Sequence, residues 1–166
     1  MVGLIKYILL LTSLTCYSQQ HIIIGDSQTL YLSNQATQLK RVKELCKGGI
    51  GITILNEKVK AYPISIQVKT VTVCIGVNDC YRDKGVRILV QNINKKFPNA
   101  KIYAVQGSWG WGGVSKMNQK NLDTYYKLFE SLNCIIISPA IGEGDPHANK
   151  ESYKIIIKNI ENRLIR

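Results

Sequence analysis

The run Val71-Thr72-Val73-Cys74-Ile75 constrains the fold more than any other segment: four of its five residues are β-branched, none is charged, and Gly76 follows at once. β-Branched side chains favour pleated backbone, and a strand with no charged face has to be covered on both sides. This predicts an inner strand of a parallel sheet with helices packed on both faces. Three more apolar runs of similar length support it: His21 to Ile24 ending at Gly25, Lys101 to Val105, and Cys134 to Ile137 stopped by Ser138-Pro139.

The intervening segments read mostly as helices. After the first strand, Leu32, Ala36, Leu39, Val42 and Leu45 recur at spacings of three and four, which predicts a helix with one apolar face. Arg41 to Lys47 then serves either as the end of that helix or as a very short strand. Gly48-Gly49-Ile50-Gly51 breaks the pattern before Ile52-Thr53-Ile54-Leu55. Gly85 to Lys96 places Val86, Leu89, Val90 and Ile93 on one face, and Phe97-Pro98-Asn99 stops it. Leu122 to Leu132 and Ala148 to Leu164 complete the set, the last burying Tyr153, Ile156, Ile157 and Ile160. Strands separated by helices imply an α/β fold with a mostly parallel sheet. No repeat, low-complexity segment or linker divides the 166 residues, so residues 20–166 are expected to form one domain.

Residues 1–19 read differently. Lys6 precedes a short apolar stretch, Tyr7 to Cys16, followed by Tyr17-Ser18-Gln19. The stretch is too short to span a bilayer and has the order of a secretory signal peptide, so export to the medium, a periplasm or a cell envelope is expected, without a stable transmembrane anchor. Removing it costs one cation from a chain whose formal charge is +11. The scattered basic residues, Lys40-Arg41 and Lys95-Lys96 among them, suit a solvated positive face or an anionic surface as partner. They form no dense block of the kind expected for nucleic acid. Of the cysteines, Cys46, Cys74, Cys80 and Cys134 remain after cleavage, and a disulfide between Cys74 and Cys80 is possible if the loop between them folds back. No Cys-x-x-Cys pair is present and the two histidines are far apart, so the spacing of a zinc site is missing.

In a parallel sheet, chemistry collects at the carboxyl ends of the strands. Three segments expected there carry reactive side chains. In Gly25-Asp26-Ser27-Gln28 a serine sits at a strand-to-helix junction, where N–H groups of the first helical turn can face a developing negative charge. In Gly76-Val77-Asn78-Asp79 the Asn78 amide can donate to an oxyanion, and Asp79 can fix the loop by accepting backbone hydrogen bonds. In Asp145-Pro146-His147 a neutral imidazole can take a serine proton while a carboxylate two residues away holds its tautomer. The other histidine, His21, stands at a strand start and reads as solvated.

Together these blocks resemble the SGNH hydrolase superfamily, the GDSL-type esterases and lipases. The resemblance spans essentially the whole chain after about residue 20, with the motifs in the right order. It implies a flavodoxin-like, three-layer α/β/α sandwich and a serine ester hydrolase that needs no metal or organic cofactor. Ser27 matches the nucleophile, Asn78 the oxyanion asparagine, His147 the base and Asp145 its orienting acid, with Glu143 as substitute for Asp145. The remaining oxyanion donor is a glycine N–H in the second block, for which Gly51 is the best match and Gly49 the runner-up. The sequence departs from the family pattern at Gln28, where a small or apolar residue is usual, and at Pro146 and Ala148 around the histidine.

The expected substrate is a small-molecule or glycan acyl ester, with a short acyl or acetyl group favoured. Trp109 and Trp111 follow the third of the clearly predicted strands within a glycine-rich segment, so they can stack on sugar rings or line an acyl pocket. Alternatives are a lysophospholipase or thioesterase, and a catalytically inactive carbohydrate-binding or surface-interaction protein on the same scaffold.

Overall fold

The computed structural model of the protein describes residues 20–106, 116–137 and 150–164, with the backbone alone at 116–120. In chain order the described elements are β1 (His21–Gly25), α1 (Ser27–Ser33), β2 (Lys40–Cys46), α2 (Ile52–Ala61), β3 (Thr70–Cys74), a 3-10 turn (Val77–Asp79), α3 (Val86–Lys96), β4 (Lys101–Val105), α4 (Lys116–Ser131), β5 (Ile135–Ile137) and α5 (Lys150–Leu164). The five strands form one sheet in the order β2-β1-β3-β4-β5, and every pairing is parallel. This is the flavodoxin-like order, whose topological switch point lies between β1 and β3.

The strands alternate between two apolar layers, as the pleat requires. Ile22, Ile24, Val71, Val73, Ile102 and Ala104 face Leu55 and Val59 of α2, Leu89 and Ile93 of α3, and Tyr125 and Phe129 of α4. Ile23, Cys74, Tyr103, Val105 and Ile137 face Leu32 of α1 and Tyr153, Ile156, Ile157 and Ile160 of α5. The result is a three-layer α/β/α sandwich. β3 is buried along its whole length, as its uncharged sequence predicted. In α3, Val86, Leu89, Val90 and Ile93 are the buried face, and Lys95 and Lys96 occupy the last turn, where cations complement the helix dipole.

The first helix is far shorter than its periodicity predicted. It ends at Ser33, and Lys40–Cys46 is the edge strand β2. The backbone N–H groups of Thr37, Gln38 and Leu39, which would have continued a helix, donate instead to the Glu161 carboxylate of α5 at 2.7, 2.6 and 3.3 Å. The helix-like spacing of Val42 and Leu45 has its own cause. The β1–β2 register slips between Ile23, opposite Arg41, and Gly25, opposite Cys46. This irregularity breaks the two-residue alternation of β2, so Val42 and Leu45 are both buried although three residues apart. The Cys74–Cys80 disulfide that the sequence allowed is also absent. Both thiols are free, with Cys74 buried beside Ile23 and Tyr103 on the α1/α5 side of the sheet, and Cys80 exposed beside Ile52 of α2.

Candidate active site

The site is built from the loops that leave β1, β2 and β3 at their carboxyl ends. β1 ends in a sharp turn at Gly25, whose φ is +141°. A Cβ there would lie 1.9 Å from the Cys74 carbonyl oxygen, so the close approach of β1 to β3 requires glycine. The turn lets Asp26 N–H donate to the Cys74 carbonyl at 3.0 Å. Asp26 then caps α1, its Oδ1 accepting the Gln28 N–H at 2.9 Å. Ser27 is thereby fixed as the first residue of α1, half-buried at the switch point between β1 and β3.

The loop after β2 is locked to this turn and to the loop after β3. Lys47 N–H donates to the Gly25 carbonyl at 3.1 Å. Asn78 Nδ2 donates to the Ile50 carbonyl at 2.9 Å, and Asp79 Oδ2 accepts the Ile52 N–H at 2.6 Å. Gly51 is the N-cap of α2 and has no side chain with which to cap it, so Asp79 supplies the carboxylate from the neighbouring loop. The fit is tight: a Cβ on Gly51 would fall 2.2 Å from Asp79 Oδ1. Asp79 thus performs the loop-fixing role read from the sequence. The Gly51 N–H meets no acceptor among the described residues. Asn78 is exposed, and its amide has a second N–H beyond the one given to Ile50.

Ser27, Gly51 and Asn78 therefore lie on three loops joined pairwise by hydrogen bonds. Gly48 belongs to the same rim, with the place of its Cβ 3.9 Å from the Ser27 Cβ. The pattern Gly48-Gly49-Ile50-Gly51 does not by itself single out Gly48. Gly49, the runner-up donor, turns with φ +72° and has open space beside it. A cleft of about 360 Å³ opens next to Asn78, lined by Ile52, Thr53, Cys80, Arg82 and Lys84. Asp145, His147, Glu143, Trp109 and Trp111 lie outside the described residues. His21 sits at the amino end of β1, with Nδ1 3.0 Å from Thr70 Oγ1, and takes no part in this rim.

Asp26 has the most perturbed environment of the rim. It is 1% exposed, and burial raises its carboxyl from 3.8 to about 7, with the nearby Asp79 acting in the same direction and the Gln28 N–H opposing. Its Oδ2 has no hydrogen-bond partner among the described residues.

No family model matches the sequence, and no curated protein matches it. Solved structures do match in fold. A member of the lipolytic G-D-S-L family from Veillonella parvula superposes with a TM-score of 0.61 at 12% identity, over 87% of this chain and 97% of that one. Axe2, an acetylxylan esterase from Geobacillus stearothermophilus, gives 0.58 at 13% over 86% and 92%. A family two carbohydrate esterase from Clostridium thermocellum gives 0.58 at 13% over 87% and 62%. The chain shares the three-layer α/β/α fold of these three structures.

Proposed function

We propose that the chain is a serine esterase that hydrolyses a short acyl or acetyl ester through an acyl-enzyme, with a carbohydrate as the favoured alcohol. The observation that carries this reading is the pairwise locking of the three loops. It ties together the loops that carry Ser27, Gly51 and Asn78 at the carboxyl edge of the sheet, which supports a helix-leading serine, a glycine N–H and an asparagine amide acting on one substrate. The acetylxylan and carbohydrate esterases among the structural matches support the substrate class.

In this mechanism Ser27 Oγ attacks the ester carbonyl as His147 takes its proton, and Asp145 holds the imidazole and stabilises its charged form. The tetrahedral oxyanion meets the N–H groups of Ser27 and Gly51 and the free N–H of Asn78, each such donor contributing about 3 kcal/mol to transition-state stabilisation. The intermediate collapses, the C–O bond to the alcohol breaks, and His147 returns the proton to the departing oxygen. Water, deprotonated by His147, then releases the acid and restores Ser27. Trp109 and Trp111, in the segment that follows β4, are assigned the contacts to the sugar or acyl group. Residues 1–19 are assigned to a secretory leader, so that the enzyme works outside the cytoplasm. Among the described residues no helix is long and apolar enough to cross a membrane.

The test is hydrolysis of p-nitrophenyl esters from acetate to octanoate by the protein and by Ser27→Ala. The reading expects turnover that is greatest on the short esters and absent from the variant. Turnover that survives in Ser27→Ala overturns the nucleophile, and a preference for octanoate overturns the short-acyl assignment.

A further inference from the structure

The loop between α2 and β3 carries the two most exposed large apolar side chains among the described residues, Ile64 at 67% and Ile66 at 63%. A single exposed isoleucine is ordinary, but two on one short loop leave apolar surface in water that the core has not used. The loop is held in place by hydrogen bonds. Ser65 N–H donates to the Lys96 carbonyl at 2.8 Å, and Asn99 Nδ2 donates to the Ile66 carbonyl at 2.9 Å, which ties it to the end of α3 and the turn that follows. This sets the isoleucines beside the Lys95–Lys96 end of α3. Lys69 ends the same loop, and its carbonyl accepts the Lys101 N–H at 2.9 Å, which adds a further lysine at the start of β4. Lys69, Lys95 and Lys101 are exposed and Lys96 is half-buried, and among the described residues none of them forms an ion pair. The flanking sequence supplies no counter-charge, since no Asp or Glu occurs between Glu57 and Asp79 or between Asp83 and Asp123. Glu44 comes beside Tyr62, at the start of the loop.

This patch lies at the amino end of the sheet. His21, Thr70 and Lys101 start β1, β3 and β4 in register. The Gln20 carbonyl accepts the N–H groups of Lys69 and Thr70 at 2.7 and 3.0 Å, so the chain enters the fold beside the patch. The loops of Ser27 and Asn78 leave the opposite end of the same strands. Isoleucines flanked by unpaired lysines suit a boundary with hydrocarbon on one side and anionic headgroups around it. A second copy of the chain would set lysine against lysine. A nucleic acid or acidic glycan would use the lysines and leave the isoleucines in water.

We propose that the 62–69 loop and the end of α3 form a docking surface for an anionic phospholipid bilayer, into which Ile64 and Ile66 insert while Lys69, Lys95, Lys96 and Lys101 meet the headgroups. The protein then rests on the membrane with its Ser27 end turned away from the lipid. This surface is independent of the esterase chemistry.

The experiment is co-sedimentation of the full chain with vesicles of phosphatidylcholine, with or without phosphatidylglycerol, at 0.1 and 0.5 M NaCl. Residues 1–19 are present in every variant, so their contribution is common to all. Binding to the phosphatidylglycerol vesicles is expected, at least tenfold tighter than to phosphatidylcholine alone and weakened by the higher salt. Ile64→Ser/Ile66→Ser and Lys95→Gln/Lys96→Gln are each expected to weaken it about tenfold or more. Ile155→Ser, at an exposed isoleucine of α5, is expected to change nothing. Circular dichroism checks that each variant folds, and Ile64→Ser or Lys95→Gln alone carries the test if a double variant does not. No binding, equal binding to both vesicles, or binding that survives in both double variants would overturn the proposal. Two other outcomes would overturn the lipid assignment: heparin or RNA binding without vesicle binding, lost only in the lysine variant, or a dimer in lipid-free solution lost in Ile64→Ser/Ile66→Ser.

Discussion

Replacing Asp26 with asparagine should stabilise the protein at alkaline pH, although it removes a carboxylate from a helix N-cap. The Asp26 carboxyl titrates at 3.8 when solvated and at about 7 in the fold, chiefly because it is buried. Below pH 3.8 both states hold the proton and folding bears no penalty. Between 3.8 and about 7 the unfolded chain ionises while the folded one does not, so the folded state binds more protons and stability falls as pH rises. Above about 7 the penalty is complete. At about 1.4 kcal/mol per pH unit it amounts to about 4 kcal/mol. Asparagine keeps an oxygen for the Gln28 N–H, but its amide stands where Oδ2 has no partner, which costs about 1–3 kcal/mol. The net expectation is a gain of about 1–3 kcal/mol at pH 8 that becomes a loss of about 0.5–2.5 kcal/mol by pH 4, where the ionisation penalty has all but gone and the cost of the amide remains. Urea unfolding followed by circular dichroism from pH 4 to 9 measures it. An Asp26→Asn protein less stable than wild type at pH 8, or a difference that is flat with pH, would refute the argument.

Three further outcomes are expected. Asn78→Ala should lower kcat about 100-fold or more by removing one oxyanion donor, with KM little changed; steady-state kinetics showing less than a threefold loss would remove Asn78 from that role. Glu161→Ala should cost about 2 kcal/mol at neutral pH, since the carboxylate gathers three backbone N–H groups and the Thr37 hydroxyl. Burial pushes Glu161 upward, but the bonds from Gln38, Thr37 and Leu39 outweigh it and hold its pKa below 4.5. The stability it adds is therefore present above pH 4.5 and lost on acidification, so a variant difference in Tm that is unchanged at pH 3 would contradict this account. Among Cys46, Cys74, Cys80 and Cys134, only Cys80 should react quickly with a thiol reagent in the native state, since burial raises the other three and shields them. Peptide mapping that finds Cys80 unreactive until reduction would instead indicate a disulfide.

Much of this architecture can be read from local pattern because the elements concerned are stabilised by what they bury. β3 and β4 are uncharged or nearly so and lie inside the sheet, and α3 carries its whole apolar face within one window of sequence. β2 could not be read in the same way. Its periodicity is distorted by a register slip against β1, and the turn before it is held by Glu161, more than 120 residues away in the chain. The site divides similarly. Ser27 and Asn78 stand in blocks whose order is visible in the sequence, and Asp79 does what its position suggested. The partners that make those loops rigid are non-local: the Ile52 N–H on Asp79, the Ile50 carbonyl on Asn78, and the Tyr153 hydroxyl on Gln28. Gln28 departs from a small or apolar residue at its place, and the hydroxyl that its buried carboxamide accepts comes from α5, 125 residues away.

The proposal that Ser27 is a nucleophile activated by its surroundings is tested most directly by reaction with a fluorophosphonate followed by peptide mass spectrometry. A single stoichiometric adduct on Ser27 is expected, absent from Ser27→Ala and formed far more slowly in His147→Ala. No adduct, or an adduct on another residue, would contradict it.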